Sequence, residues 1–377
     1  MVPMESSTPS RPQLVNWELA ASSAAKLSPP GPQLRAGEIA AAVQNLRELA
    51  DASVGHVHRI TGLDAARDLR DSELLIVDRA SWAKANTQSF QTLMAPALEE
   101  LLRTKGEHLK NGGAAVSGNV TGAQMGAILA FLSSKVLGQY DPFVPSRNGP
   151  GGRLMLVAPN IISIERELNV DPTDFRLWVC LHEQTHRVQF AAAPWLKDHM
   201  REHISQLTVG LVDKADGLSE RLAGALKSIS PRQGGSQNDD DGVPPQDSGV
   251  LSLLQDPEDK ARLSHLTAVM SLLEGHANVV MDAVDSSIVP TVKTIRSRFN
   301  ARGKSRGPVE KLIRRLMGLD AKMRQYSDGA RFVRRVVDAV GMEGFNRVWI
   351  SADNLPTEKE IHSPDAWITR MGLQPVG

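Results

Sequence analysis

Within the segment DFRLWVCLHEQTHRVQFAAAPW, residues 174–195, stands the run His182-Glu183-Gln184-Thr185-His186. It constrains the fold more than any other feature, because its chemistry works only on a helix. Residues four apart share one helical face, so both imidazoles can point at one metal ion. Glu183 is turned about 100° from His182 and leans beside the metal, within reach of a water rather than the ion. Neutral imidazoles bind zinc at about 2.0–2.1 Å, and the ion lowers the pKa of its water to about 7. A nearby carboxylate can then take the proton. The flanks support a helix. Thr173 or Asp174 can cap its start, Leu177, Leu181 and Val188 draw an apolar stripe, and Pro194 limits its end. Without a metal, the same pattern would be an amphipathic helix with two ordinary histidines.

A second histidine pair follows closely. His199-Met200-Arg201-Glu202-His203 fits the inverted pattern H-x-x-E-H. Its surroundings, LKDHMREHISQL, are more polar, so it reads as a solvated helix face. A catalytic zinc needs a third protein ligand and an open position. The region expected to supply that ligand is 262–285, RLSHLTAVMSLLEGHANVVMDAVD, where Leu263, Leu266, Met270, Leu273, Ala277, Met281 and Val284 draw a buried stripe. Glu274 lies about 70° from the centre of that stripe, where it could equally pair with an arginine. His276 is about 160–200° round from Glu274, so only one of the two can meet the metal.

Composition narrows the class. At roughly 150 residues per domain, 377 residues make two domains or one large one. Hydrophobic residues at 41% and charged residues at 23% exclude a wholly disordered chain. Lys+Arg 43 against Asp+Glu 43 leaves no net field to recruit nucleic acid or an anionic membrane. The single cysteine, Cys180, cannot form an internal disulfide, and the first residues show no basic-then-apolar leader. The best membrane candidate, 120–137, is interrupted by Gln124, Lys135 and paired serines. A soluble, cytoplasmic protein is expected.

Along the chain, residues 1–12 form a Ser/Pro-rich tip. Helical spacing runs over 38–57, with Gly62 just beyond, and ELLIVD at 73–78 is a strand or a buried turn. An amphipathic helix is expected over 90–109, ending at Asn111-Gly112-Gly113, and a Gly/Ala-rich helix near 121–138. RLMLVAPN, 153–160, is the best strand candidate, ended by Pro159. Residues 229–249, ISPRQGGSQNDDDGVPPQDSG, hold too few apolar side chains to offset their ordering entropy and read as a disordered loop. A basic run spans 293–315, but only Phe299 interleaves it. A solvated face or a surface for an acidic partner is favoured over nucleic acid.

LWVCLHEQTHRVQFAAAPWL together with LLEGHANVVMDAV resembles an actinobacterial zincin-like metallopeptidase family, labelled as hydrolases and tied by association to deazaflavin-coenzyme biosynthesis. VNWELAASSAAKLSPPGP, LGQYDPF, LMLVAPNI, KMRQYSDGARFV and FNRVWISADNLPT share the resemblance, which covers nearly the whole chain apart from the tip and the 229–249 loop. It implies an α+β fold with a zincin-like metalloprotease core, mostly helical with a small sheet, in a single domain over 13–377. It implies one Zn²⁺ per chain, held by His182, His186 and Glu274, with Glu183 as general base. Glu202 and His203 stand outside that pattern. By analogy with glutamate-ligand zincins, Asn278 would orient a histidine ring, although an Asp is the commoner choice there. Tyr326 is either a donor to a developing oxyanion or a packed helix tyrosine.

The expected function is therefore a zinc-dependent hydrolase, a metallopeptidase acting on a peptide or amide substrate through metal-activated water. Neither a nucleic acid nor a membrane is an expected partner. A zinc that merely clamps two helices is the alternative, and a metal-free helical scaffold using the basic run is a third. Glu183 favours the first, because a purely structural site has no use for a base that does not ligate. By fold analogy, an extended substrate would pair along RLMLVAPN as the edge strand.

Overall fold

In the computed structural model, residues 14–110, 114–146, 151–213, 256–304 and 319–375 are described. The tip at 1–12, the 229–249 segment and the part of the basic run from 305 onward lie outside them. The chain is mostly helical around one small sheet.

Three strands, β1 (Glu73–Val77), β2 (Gly138–Asp141) and β3 (Arg153–Val157), form a sheet in the order β1-β3-β2. β1 runs parallel to β3, from Glu73 opposite Arg153 to Val77 opposite Val157. β2 is antiparallel to β3, with Gly138 opposite Leu156 and Asp141 opposite Arg153. This corrects the expectation for RLMLVAPN, since β3 is the central strand and the edges are β1 and β2. The reason is in its side chains. Met155 and Val157 enter one buried cluster while Leu156 enters another, so both faces of β3 are covered and every residue is buried. Arg153 is tolerated there because Asp141 (2.8 Å), the Ala85 carbonyl (3.1 Å) and Gln88 (2.8 Å) take its guanidinium. Pro159 does not lead into a loop. It sits in the first turn of a helix that follows β3 at once, where its missing N–H costs nothing.

The helices are α1 (Trp17–Leu27), α2 (Ala36–Thr61), α3 (Arg79–Lys110), α4 (Ala114–Ser133), α5 (Ala158–Leu168), α6 (Pro172–Ala192) and α7 (Leu196–Asp213). They continue with α8 (Pro257–Ala283), α9 (Val292–Lys304), α10 (Leu319–Asn346), α11 (Glu358–His362) and α12 (Pro364–Arg370). α2 closes where expected, on Gly62 in the left-handed conformation (φ 64°), whose N–H donates to the His58 carbonyl. α3 begins well before residue 90, because Asp78 caps it by accepting the Ser81 N–H at 2.7 Å. No helix among the described residues is long and apolar enough to cross a membrane.

The larger core joins α2, α5, α6, α8 and α10, with Phe175, Leu181, Leu272, Phe332 and Phe345 buried inside. α8 and α10 touch backbone to backbone. A Cβ on Gly329 would lie 2.0 Å from the Ser271 carbonyl oxygen, and one on Gly275 2.3 Å from the Gly329 carbonyl carbon. That close crossing fixes α8 at the residue next to Glu274.

Candidate metal centre

α6 is capped by Asp171, two residues before Thr173 and three before Asp174. Its carboxylate accepts the Asp174 N–H at 2.9 Å, and Pro172 opens the first turn. Asp174 instead accepts the Thr291 N–H and hydroxyl, both at 2.7 Å, tying the helix start to the segment before α9. Phe175, Val179, Leu181 and Val188 are buried. Within the motif, Gln184 donates to the Ala50 carbonyl of α2 at 2.7 Å, and Arg187 pairs with Asp71 at 3.0 Å. These contacts fix the rotation of α6 and leave His182 and His186 facing α8.

Opposite them stands Glu274. His182 Nε2 and His186 Nε2 are 3.3 Å apart, His186 Nε2 lies 3.6 Å from Glu274 Oε1, and His182 Nε2 lies 4.0 Å from Glu274 Oε2. Ligands about 2.0–2.1 Å from a tetrahedral zinc are separated by about 3.3 Å, so this triangle fits the ion. The donor set, two imidazoles and a carboxylate, is that of a three-ligand zinc with an open position. The side chains remain 28%, 15% and 29% exposed for His182, His186 and Glu274, so solvent reaches that position.

Glu183 is 7% exposed and lies against the start of β2. A Cβ on Gly138 would stand 2.6 Å from its Cγ, so only glycine lets the carboxylate lie there. Burial, with the Glu274 charge beside it, pushes the Glu183 carboxyl up to about 8. Desolvation and His186 hold the His182 imidazole down at about 4, with Glu274 opposing, which keeps the ring in its neutral, ligating form.

Gln189 is the residue the sequence reading missed. Its side-chain nitrogen donates to the Leu273 carbonyl at 2.8 Å and to His276 Nδ1 at 3.0 Å. That commits its oxygen to His186 Nδ1–H at 3.0 Å and leaves His186 Nε2 free for a metal. The spacing was visible, since Gln189 follows His186 by three and shares its face. No hydrogen bond joins Asn278 to either ring among the described residues, so Gln189 takes the role expected of it. His276 is fully buried, stacks on Phe345 at 5.3 Å and stands outside the His182, His186 and Glu274 cluster, but it reaches that cluster through Gln189. Replacing Gln189 with methionine is expected to lower zinc affinity by about 10–100-fold in a chelator competition. Gln189→Glu, which keeps the acceptor, should lose less. Equal affinity in all three proteins would remove the orienting role.

Tyr326 falls in α10, but its side chain lies outside the described residues. The other tyrosine, Tyr140 of β2, accepts the Gly152 N–H at 3.1 Å, and burial pushes its hydroxyl up to about 12. The basic run is partly accounted for. Arg296 donates to the Met281 and Val284 carbonyls and Arg298 to those of Leu168 and Asn169, closing the ends of α8 and α5, while Arg302 pairs with Glu167. The inverted motif departs from expectation. His199 and His203 do not sit on a solvated face but turn toward α8, half-buried beside His265. Glu202 is exposed and accepts from Gln206.

Comparison with known proteins places the chain in a family. A family model described as zincin-like metallopeptidase matches residues 15–368. A solved structure from Chloroflexus aurantiacus, described as a "putative hydrolase with a novel fold", is 30% identical with a TM-score of 0.64. The match covers 95% of this chain and 99% of that one. No curated protein matches the chain. Neither description mentions deazaflavin chemistry or an actinobacterial source, which rest on the resemblance alone.

Proposed function

This chain belongs to the zincin-like metallopeptidase family, and on that premise we propose that it is a zinc-dependent peptidase using Glu183 as general base. The observation that carries the proposal is one arrangement: His182, His186 and Glu274 converge at zinc-ligand spacing, with a buried, non-ligating carboxylate beside them on α6. Zinc bound there would polarise a carbonyl and lower the pKa of a water. Glu183 accepts a proton from the attacking water and passes it to the leaving amine. His182, His186 and Glu274 hold the ion, and Gln189 keeps the His186 ring aligned. β2 replaces RLMLVAPN as the strand along which an extended peptide would lie. It is an edge of the sheet, and its Gly138 touches Glu183. Cys180 is buried with its thiol pushed up by desolvation, so the chain needs no oxidising compartment, and we place it in the cytoplasm.

The test is hydrolysis of an extended-peptide library by the full chain. Cleavage should be abolished by a zinc chelator and restored by added zinc. Cleavage that survives complete metal removal would overturn the proposal.

A further inference from the structure

We propose that His199, His203 and His265 form a second site for a divalent transition metal of the zinc class, which clamps α7 to α8. His199 and His203 are four apart on α7 and share a face, as His182 and His186 do on α6. His265 meets them from α8. His199 Nε2 and His265 Nε2 are 2.7 Å apart, and one ring nitrogen from each of the three lies within 4.8 Å of the others. The ring centroids are 4.6 Å apart for His199 and His203, 5.0 Å for His199 and His265, and 4.6 Å for His203 and His265.

Three imidazoles crowded together satisfy each other poorly. One short contact uses two nitrogens, and His203 Nδ1 is buried without a partner. A metal ion would engage all three rings at once, since tetrahedral ligation needs nitrogens about 3.3 Å apart, about 0.6 Å more than the closest pair now has. An all-imidazole set suits zinc, cobalt, nickel or copper rather than magnesium or calcium. The cation facing the cluster, Arg262, is already engaged by Glu258 at 3.0 Å, Asp259 at 3.2 Å and Gln206 at 3.1 Å.

The two sites are separate. His265 and Glu274 are nine residues apart on α8, a rise of about 13.5 Å and a turn of about 900°, which puts them on opposite faces. Paired metals that share one substrate sit about 3.5–4 Å apart, so the second ion is not a partner in hydrolysis. Nor does it have a base, because Glu202 points to solvent and is held by Gln206. What remains is a clasp between two helices.

Equilibrium dialysis of the full chain against cobalt or zinc, with metal counted by elemental analysis, tests this. The wild type should bind two ions per chain. His265→Ala and His199→Ala should each bind one, and a His186→Ala/His265→Ala double variant none. Circular dichroism checks that each variant keeps its helices, and His203→Gln, a milder change, should also lose one ion. A wild type whose single ion is kept in the His199 and His265 variants overturns the proposal. So does a second ion that persists in the His199 and His265 variants.

Discussion

Glu183→Gln is expected to lower peptide hydrolysis by about 10²–10⁴-fold while zinc content stays at the wild-type value. Glutamine has nearly the shape of glutamate, so it fits the space that Gly138 leaves against β2. Burial already disfavours the carboxylate at this position, so a neutral side chain brings no new desolvation cost. The ligand atoms of His182, His186 and Glu274 are untouched, and substrate should still bind and be held long enough to trap. What disappears is the proton acceptor. Unchanged turnover with zinc in place would mean that another group activates the water. No turnover in the wild type across broad peptide libraries would favour the helix-clamping zinc instead.

Removing a ligand should act on the other half of the site. His186→Ala takes away one of three donors and also the group that Gln189 orients, so two supports fail together. Glu274→Gln keeps the side chain's size but removes the charge that offsets the dication. Both should weaken zinc binding by more than the ~10–100-fold expected when an orienting partner is lost. Both should abolish hydrolysis even though Glu183 is still present. This is the converse of Glu183→Gln, where zinc stays and turnover goes.

Much of the candidate site's geometry could be read from the sequence because it is local. The spacing of His182 and His186 fixes their common face on a helix, and the apolar stripe around Leu273 and Ala277 places Glu274 at its margin. Gly138 gave no such signal, since it meets Glu183 only through the tertiary packing of β2 on α6. RLMLV was expected at an edge, yet its unbroken apolar run is what a strand covered on both faces requires. The inverted motif was misread for a related reason. Polarity averaged over LKDHMREHISQL is set by the exposed residues Asp198, Arg201 and Glu202, while His199 and His203 turn toward His265. Composition over a window hides a face, and the helical period recovers it.

The most direct test of the metal centre is zinc per chain in wild-type protein and in Glu274→Gln, by elemental analysis after identical dialysis. Counting the difference cancels any ion held by His199, His203 and His265, which both proteins keep. A deficit close to one zinc per chain in the variant is expected. Equal zinc in the two proteins would contradict the assignment of His182, His186 and Glu274 as ligands.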